Sequence, residues 1–276
     1  MRPAERLRFL AEAGARIRSL GPVEHDFNEF VDRLVDIGVV DDSGAHYDQM
    51  GFREQMHTLH FTGRWAHYGF NVFELTTDLA AGFLLTEPPP TEDELQLPFP
   101  CFFIKLPEGV VPVFAHGRQD WAEGIWVHRF VSMHREEGNK TDFFRWSVVK
   151  GALSVWKDRF PKNLDDPTDE STFSRTMWGD PPIVPEDQIT TDKALRVIKN
   201  LVSWLDATGG LAEHPKPQPP PVKRKASHKR KEEREKGIWP RVWLFGQNVK
   251  LQPELRRMAR EVALGQSSDH AVQGWK

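Results

Sequence analysis

The chain has 276 residues, 39% hydrophobic and 28% charged, with a net charge of −3, which fits a soluble globular protein with a proper buried core in one large or two modest domains. Its single cysteine, Cys101, rules out an intrachain disulfide and fits a reducing compartment. No apolar run approaches the ~20 residues that span a bilayer, and the Arg-bearing start lacks the apolar stretch of a signal peptide, so a cytoplasmic protein without membrane contact is expected.

The net charge conceals a division. Residues Lys223 to Lys236 hold eight Lys/Arg and three Glu, a sum of +5, and residues 237–276 hold six Lys/Arg and three Asp/Glu, a sum of +3. Residues 1–222 therefore carry −3 − 5 − 3 = −11. An acidic body argues against a broad nucleic-acid face on the main domain and leaves the basic tail as the element that could touch a polyanion.

In chain order, "PAERLRFLAEAGARIRSLG" reads as a helix with Pro3 in its first turn, a stripe through Leu7, Leu10, Ala11, Ile17 and Leu20, and Gly21-Pro22 as its stop. "EHDFNEFVDRLVDIGVV" repeats that logic through Phe27, Phe30, Val31, Leu34 and Ile37. Residues 51–86 read as helical, broken near Gly63 or Gly69 and closed by Pro88-Pro89-Pro90. The pattern then changes to short apolar stretches, "CFFIKLP" and "VVPVFAHG", followed by the alternating "GIWVHRFVSMHR" and a return strand in "TDFFRWSVVKGALSVW". These make an antiparallel meander. After a Pro- and Asp-rich loop at 161–188, "TTDKALRVIKNLVSWLD" reads as a long helix capped by Thr191 or Asp192, with Leu195, Ile198, Leu201, Val202 and Leu205 as its buried stripe and Gly209-Gly210 at its end. A Pro-rich, basic linker follows. "RVWLFGQNVKL" then reads as a strand pair or one bent strand, and "QPELRRMAREVALG" as a short helix. The expected organisation is an α+β domain at 1–210, a linker at 211–237 and a small strand-helix element at 238–276.

Three constellations could carry chemistry. In "REQMHTLHFTGRWAHYG", Glu54, His57 and His60 follow one another at i, i+3, with His67 one heptad past His60. On a helix they share roughly one face, as metal-ligating pairs of helical bundles do. No second such pair accompanies them, and an amphipathic helix with hydrogen-bonded histidines accounts for the same spacing. On the meander, His116, His128 and His134 alternate with Arg118, Arg129 and Arg135. With Trp126 and Phe130 beside His128 and His134, this face could stack a base, with Arg129 and Arg135 on phosphate and His128 or His134 moving a proton. An aromatic core face with histidines at its rim has the same pattern. The third is the basic block itself, Lys223, Arg224, Lys225, Lys229, Arg230 and Lys231, which lacks the interleaved rings of single-strand binders. It supplies attraction without readout, or serves only as a solvated tether. Cys101, between prolines and among Phe99, Phe102 and Phe103, reads as a buried, inert thiol.

No Gly-x-Gly-x-x-Gly, Gly-x-x-x-x-Gly-Lys-Ser/Thr or Gly-x-Ser-x-Gly motif occurs, so no cofactor is implied by motif. Four stretches, "FLLTEPP", "LPFPCFFIKLPEG", "ALRVIKNLVSWLD" and "VKLQPELRRMAREVALG", are similar to uncharacterised proteins of bacterial and phage genomes. That resemblance implies a mobile-element or defence-related setting and no particular mechanism. The resulting expectation is an intracellular protein that works by binding another protein, with auxiliary nucleic-acid contact through residues 223–236. The alternatives are an enzyme acting on a nucleotide or nucleic acid through the His/Arg face, and a metal-binding helical protein.

Overall fold

The computed structural model describes residues 11, 14–18, 60–88, 96–115, 118–133, 140–150, 153–158, 185–213 and 240–265. Within them the architecture is α+β, as expected. Eight strands and three helices carry labels: β1 (Asn71–Leu75), α1 (Thr77–Leu85), β2 (Cys101–Lys105), β3 (Pro112–Ala115), β4 (Arg118–Trp121), β5 (Gly124–Met133), β6 (Lys140–Lys150), β7 (Leu153–Asp158), α2 (Pro185–Ala207), β8 (Arg241–Phe245) and α3 (Pro253–Ala263). One six-stranded sheet has the order β7-β6-β5-β2-β1-β8, and β3 and β4 form a separate two-stranded sheet.

The meander is present at β5-β6-β7. Ile125 opposes Val148 and Val127 opposes Trp146 across β5 and β6, and Val148 opposes Val155 across β6 and β7. β2 joins β5 antiparallel, because Arg129 N–H donates to the Pro100 carbonyl at one end and Leu106 N–H to the Glu123 carbonyl at the other. β8 differs. Arg241 N–H donates to Phe70 O and Thr76 N–H to Phe245 O, so the two strands pair start to start and β8 runs parallel to β1. The sheet is therefore mixed.

Four local expectations need correction. The stretch 51–86 is not helical apart from one break: residues 60–67 are helical, but β1 intervenes before α1. Gly69 at φ 93° and Phe70 at φ 60° turn the chain out of the helical segment 60–67, and "NVFEL", with its β-branched and aromatic residues, then pairs as a strand. The return strand 141–156 is two strands, β6 ending at Lys150 and β7 beginning at Leu153. α2 begins at Pro185, a residue suited to a first turn, so Thr191 and Asp192 lie inside the helix and do not cap it. "RVWLFGQNVKL" holds one strand, ended by Gly246 at φ 84°, and that strand is part of the central sheet. The expected stripe of α2 is buried at all five positions, and Ala11 and Ile17 are buried as read. The rest of the helix read at Pro3 to Leu20, the second helix, and linker residues 214–237 lie outside the described residues, whereas residues 211–213 belong to a 3-10 turn at Gly210–Glu213.

The chain divides into two compact units: residues 1–72, 101–103 and 216–243, and residues 73–100, 104–215 and 244–276. In the first, Trp65 Nε1 donates to the Asn71 carbonyl at 2.8 Å, Asn71 Nδ2 to the Tyr68 carbonyl at 2.8 Å, and Trp65 meets Phe70 edge to face at 5.2 Å. The core of the second is aromatic: Phe245 meets Phe73 at 5.3 Å and Trp204 at 5.6 Å.

Candidate protein-docking surface

α1 organises the second unit. Its sequence, TDLAAGFLL, is apolar on every face, and every residue from Leu79 to Leu85 is buried, as a helix with no polar face must be. Such a helix has to satisfy both ends internally. At the N-terminus, Thr76 is extended (φ −70°, ψ 156°) and its hydroxyl oxygen accepts from Leu79 N–H while the hydroxyl donates to the Gly246 carbonyl at 3.0 Å. At the C-terminus, Thr86 N–H and Oγ1–H both reach the Gly82 carbonyl, at 3.0 and 2.8 Å. α2 closes the remainder. Asn200 Nδ2 donates to the carbonyls of Phe83 at 2.8 Å and Thr86 at 2.9 Å, and an Arg196 guanidinium nitrogen donates to the Leu84 carbonyl at 2.8 Å. A cation at that end also complements the helix dipole.

The C-terminal helix is held on the same element. α3 packs against α1, burying Ala259, Val262 and Ala263, small residues that allow close approach. Arg256 grips Asp78, in the first turn of α1, with contacts of 2.6 and 2.8 Å. The connection between β8 and α3 passes over α1 at Gly246. A Cβ there would lie 2.5 Å from Leu79 Cβ and closer still to Thr76 Oγ1, so only glycine fits.

This packing decides what β8 shows to solvent. Trp243 and Phe245 point into the core, whereas Val242 and Leu244, 38% and 47% exposed, are the exposed large hydrophobic side chains among the described residues. Past them, Lys250, Arg256, Arg257 and Arg260 are exposed beside Glu254, with Glu261 half-buried. Arg256 pairs with Asp78 and Arg257 with Glu261, so this helix face is of mixed charge, and the exposed apolar pair on β8 is the feature suited to holding another protein.

The residues singled out in the sequence fall elsewhere. His128 is fully buried beside Trp126, their rings 6.4 Å apart, whereas Arg129, the next residue along β5, is exposed. The alternation of the strand puts them on opposite faces and the structure does not bring them together. His134, Arg135 and His116 lie outside the described residues, as do Glu54 and His57. His60 is buried in the helical segment 60–67. Among the described residues, no group of three or more His, Cys, Asp or Glu is arranged to hold a metal ion. Lys223, Arg224, Lys225, Lys229, Arg230 and Lys231 also lie outside them. Cys101 is fully buried, and burial pushes its thiol well above the ordinary range, partly opposed by the positive charge of Arg64. No described helix is long and apolar enough to cross a membrane.

Sequence reasoning missed Asn200, Arg196, Asp78 and Gly246, because capping across 100 or more residues leaves no local pattern. Val242 and Leu244 did leave one. Four apolar residues in the five of "RVWLF" exceed what a half-buried strand needs, so one face had to be covered by something else or left exposed.

The chain is a member of the AcrVA2-like family, described as the anti-CRISPR type V subtype A2 family, whose model matches residues 73–274. A solved structure titled "Crystal structure of AcrVA2" is similar, with 14% identity and a TM-score of 0.47, covering 90% of this chain and 82% of that one. No curated protein matches.

Proposed function

We propose that this chain disables a type V CRISPR system by binding one of its protein components. The observation that carries the reading is the family match over residues 73–274, a span that contains α1, β8, α3 and the contacts that lock them together. The exposed apolar pair on β8 offers a surface for such a contact. The test is biological and direct. A bacterium carrying an active type V-A system directed against a phage is given the full chain, and phage plating should recover towards the level seen without the CRISPR system. Plating that stays suppressed against several type V-A systems, with the chain present at good levels, contradicts the reading.

A further inference from the structure

We infer that Arg241 and Trp243 form an oxyanion-binding site, in which the guanidinium and the indole N–H together take a carboxylate or phosphate group from outside the chain. The inference lies beyond the CRISPR reading and does not depend on it.

Two polar groups on one face of β8 carry it. Residues 241 and 243 are two apart on a strand, so their side chains leave the same face with Cβ atoms about 6.6 Å apart, close enough for one carboxylate or phosphate to reach both donors. Trp243 is 8% exposed, and its Nε1 is buried without a hydrogen-bond partner. An orphaned buried donor is rare in a folded protein and calls for an acceptor that the chain does not hold. Arg241, the first residue of β8, is exposed. Among the described residues, no hydrogen bond or ion pair holds its guanidinium.

The fold nevertheless seats that guanidinium. A Cβ on Gly69 would lie 3.3 Å from Arg241 Nη1 and 3.6 Å from Cζ, so the group rests against bare backbone. Phe70, in the left-handed region at φ 60°, turns its carbonyl to accept from Arg241 N–H at 2.8 Å. Helix capping does not consume the arginine. At the end of the segment 60–67, Tyr68 N–H donates to the Arg64 carbonyl, Gly69 N–H to that of Ala66 and Phe70 N–H to that of Trp65, while Asn71 Nδ2 takes the Tyr68 carbonyl. A glycine and a strained aromatic thus place a cation that the fold leaves unused, which accords with a ligand-holding role.

The chemistry of the pair selects the ligand. Both groups are donors only, so a cation finds no acceptor here. A water molecule would satisfy the indole alone. An oxyanion satisfies the indole and neutralises the guanidinium, and a charge-assisted bond to arginine is the stronger one.

The full chain, isotope-labelled at its ten Trp indole nitrogens, is titrated with inorganic phosphate and, separately, with acetate at constant ionic strength, and the indole signals are followed by heteronuclear NMR. Trp243→Phe identifies the Trp243 signal by its disappearance. That signal should shift saturably, and Arg241→Gln should weaken the binding about tenfold or more. Saturation by acetate assigns the site to carboxylates, such as an acidic side chain of a partner protein, and saturation by phosphate alone assigns it to phosphoryl groups; either supports the inference. A signal that neither anion moves means that the indole holds water, and the inference is overturned. A shift of equal affinity in Arg241→Gln overturns it as well. If Trp243→Phe fails to fold, Arg241→Gln at its exposed position keeps the test usable, because the indole signal whose titration weakens in that variant is then the one read. Phage plating is untouched by these outcomes, so the CRISPR reading stands or falls separately.

Discussion

Gly246 is the residue on which the C-terminal packing turns. Its φ of 84° lies in the left-handed region, and the space a Cβ would need is filled by Thr76 and Leu79. Gly246→Ala therefore combines backbone strain with overpacking, and a loss of about 2–4 kcal/mol is expected. Chemical denaturation of the two proteins checks it, and an unchanged midpoint would mean that the turn relaxes without cost. Cys101 gives a second test. Its thiol is buried and held protonated, whereas in the unfolded chain it ionises near its ordinary value of 9.0. Below that pH the two states carry the same proton and nothing changes. Above it the unfolded state loses a proton that the folded state keeps, so stability falls with a limiting slope of about 1.4 kcal/mol per pH unit. Cys101→Ala should remove that component of the alkaline slope, whatever it does to the plateau. Ellman's reagent should find no reactive thiol in the native protein at pH 8 and one thiol per chain in guanidinium.

At the level of elements, α1 shows why some features were legible and others were not. The apolar periodicity of α2, the alternation of β5 and the Pro-led start of α3 are local, and each was read where it occurs. What misled was context. "VFEL" flanks a helical sequence and has no breaker of its own, so its strand state depends on its place between β2 and β8, the latter some 170 residues away. The His/Arg alternation on β5 was visible, but which face the core would cover was not. The capping of α1 by Asn200 is likewise a long-range fact with a measurable consequence. Asn200→Leu keeps the approximate volume and strands two acceptors, the carbonyls of Phe83 and Thr86, in a largely dry setting. A destabilisation of about 2–3 kcal/mol is expected in urea unfolding. The Asp78–Arg256 pair should matter less despite its short contacts, because the Arg256 side chain is 52% exposed. A double-mutant cycle should give a coupling of about 1 kcal/mol or below.

For the whole molecule the informative quantity is the separation of charge: −11 over residues 1–222, +5 over Lys223 to Lys236 and +3 beyond. The last of these groups includes α3. The middle group lies within the span of the family match, and eight Lys/Arg in fourteen residues are expected to attract polyanions without sequence readout. If all eight of its cations met phosphate, its dependence on salt would be steep, and contact with ~4–6 phosphates corresponds to a slope in log K against log salt of about −4 to −5 on duplex DNA. Deleting residues 223–236 should therefore abolish weak binding to duplex DNA and to RNA at low salt and leave little to lose at moderate salt. Effector binding should survive the deletion where it rests on apolar contacts and backbone hydrogen bonds, which respond weakly to ionic strength. The two contacts are thus separable by one titration on two proteins. If the deletion leaves low-salt nucleic-acid binding intact, the basic block is a tether alone. If it removes effector binding as well, the block is part of the protein contact, and its eight cations would then face acidic side chains of the partner instead of phosphates.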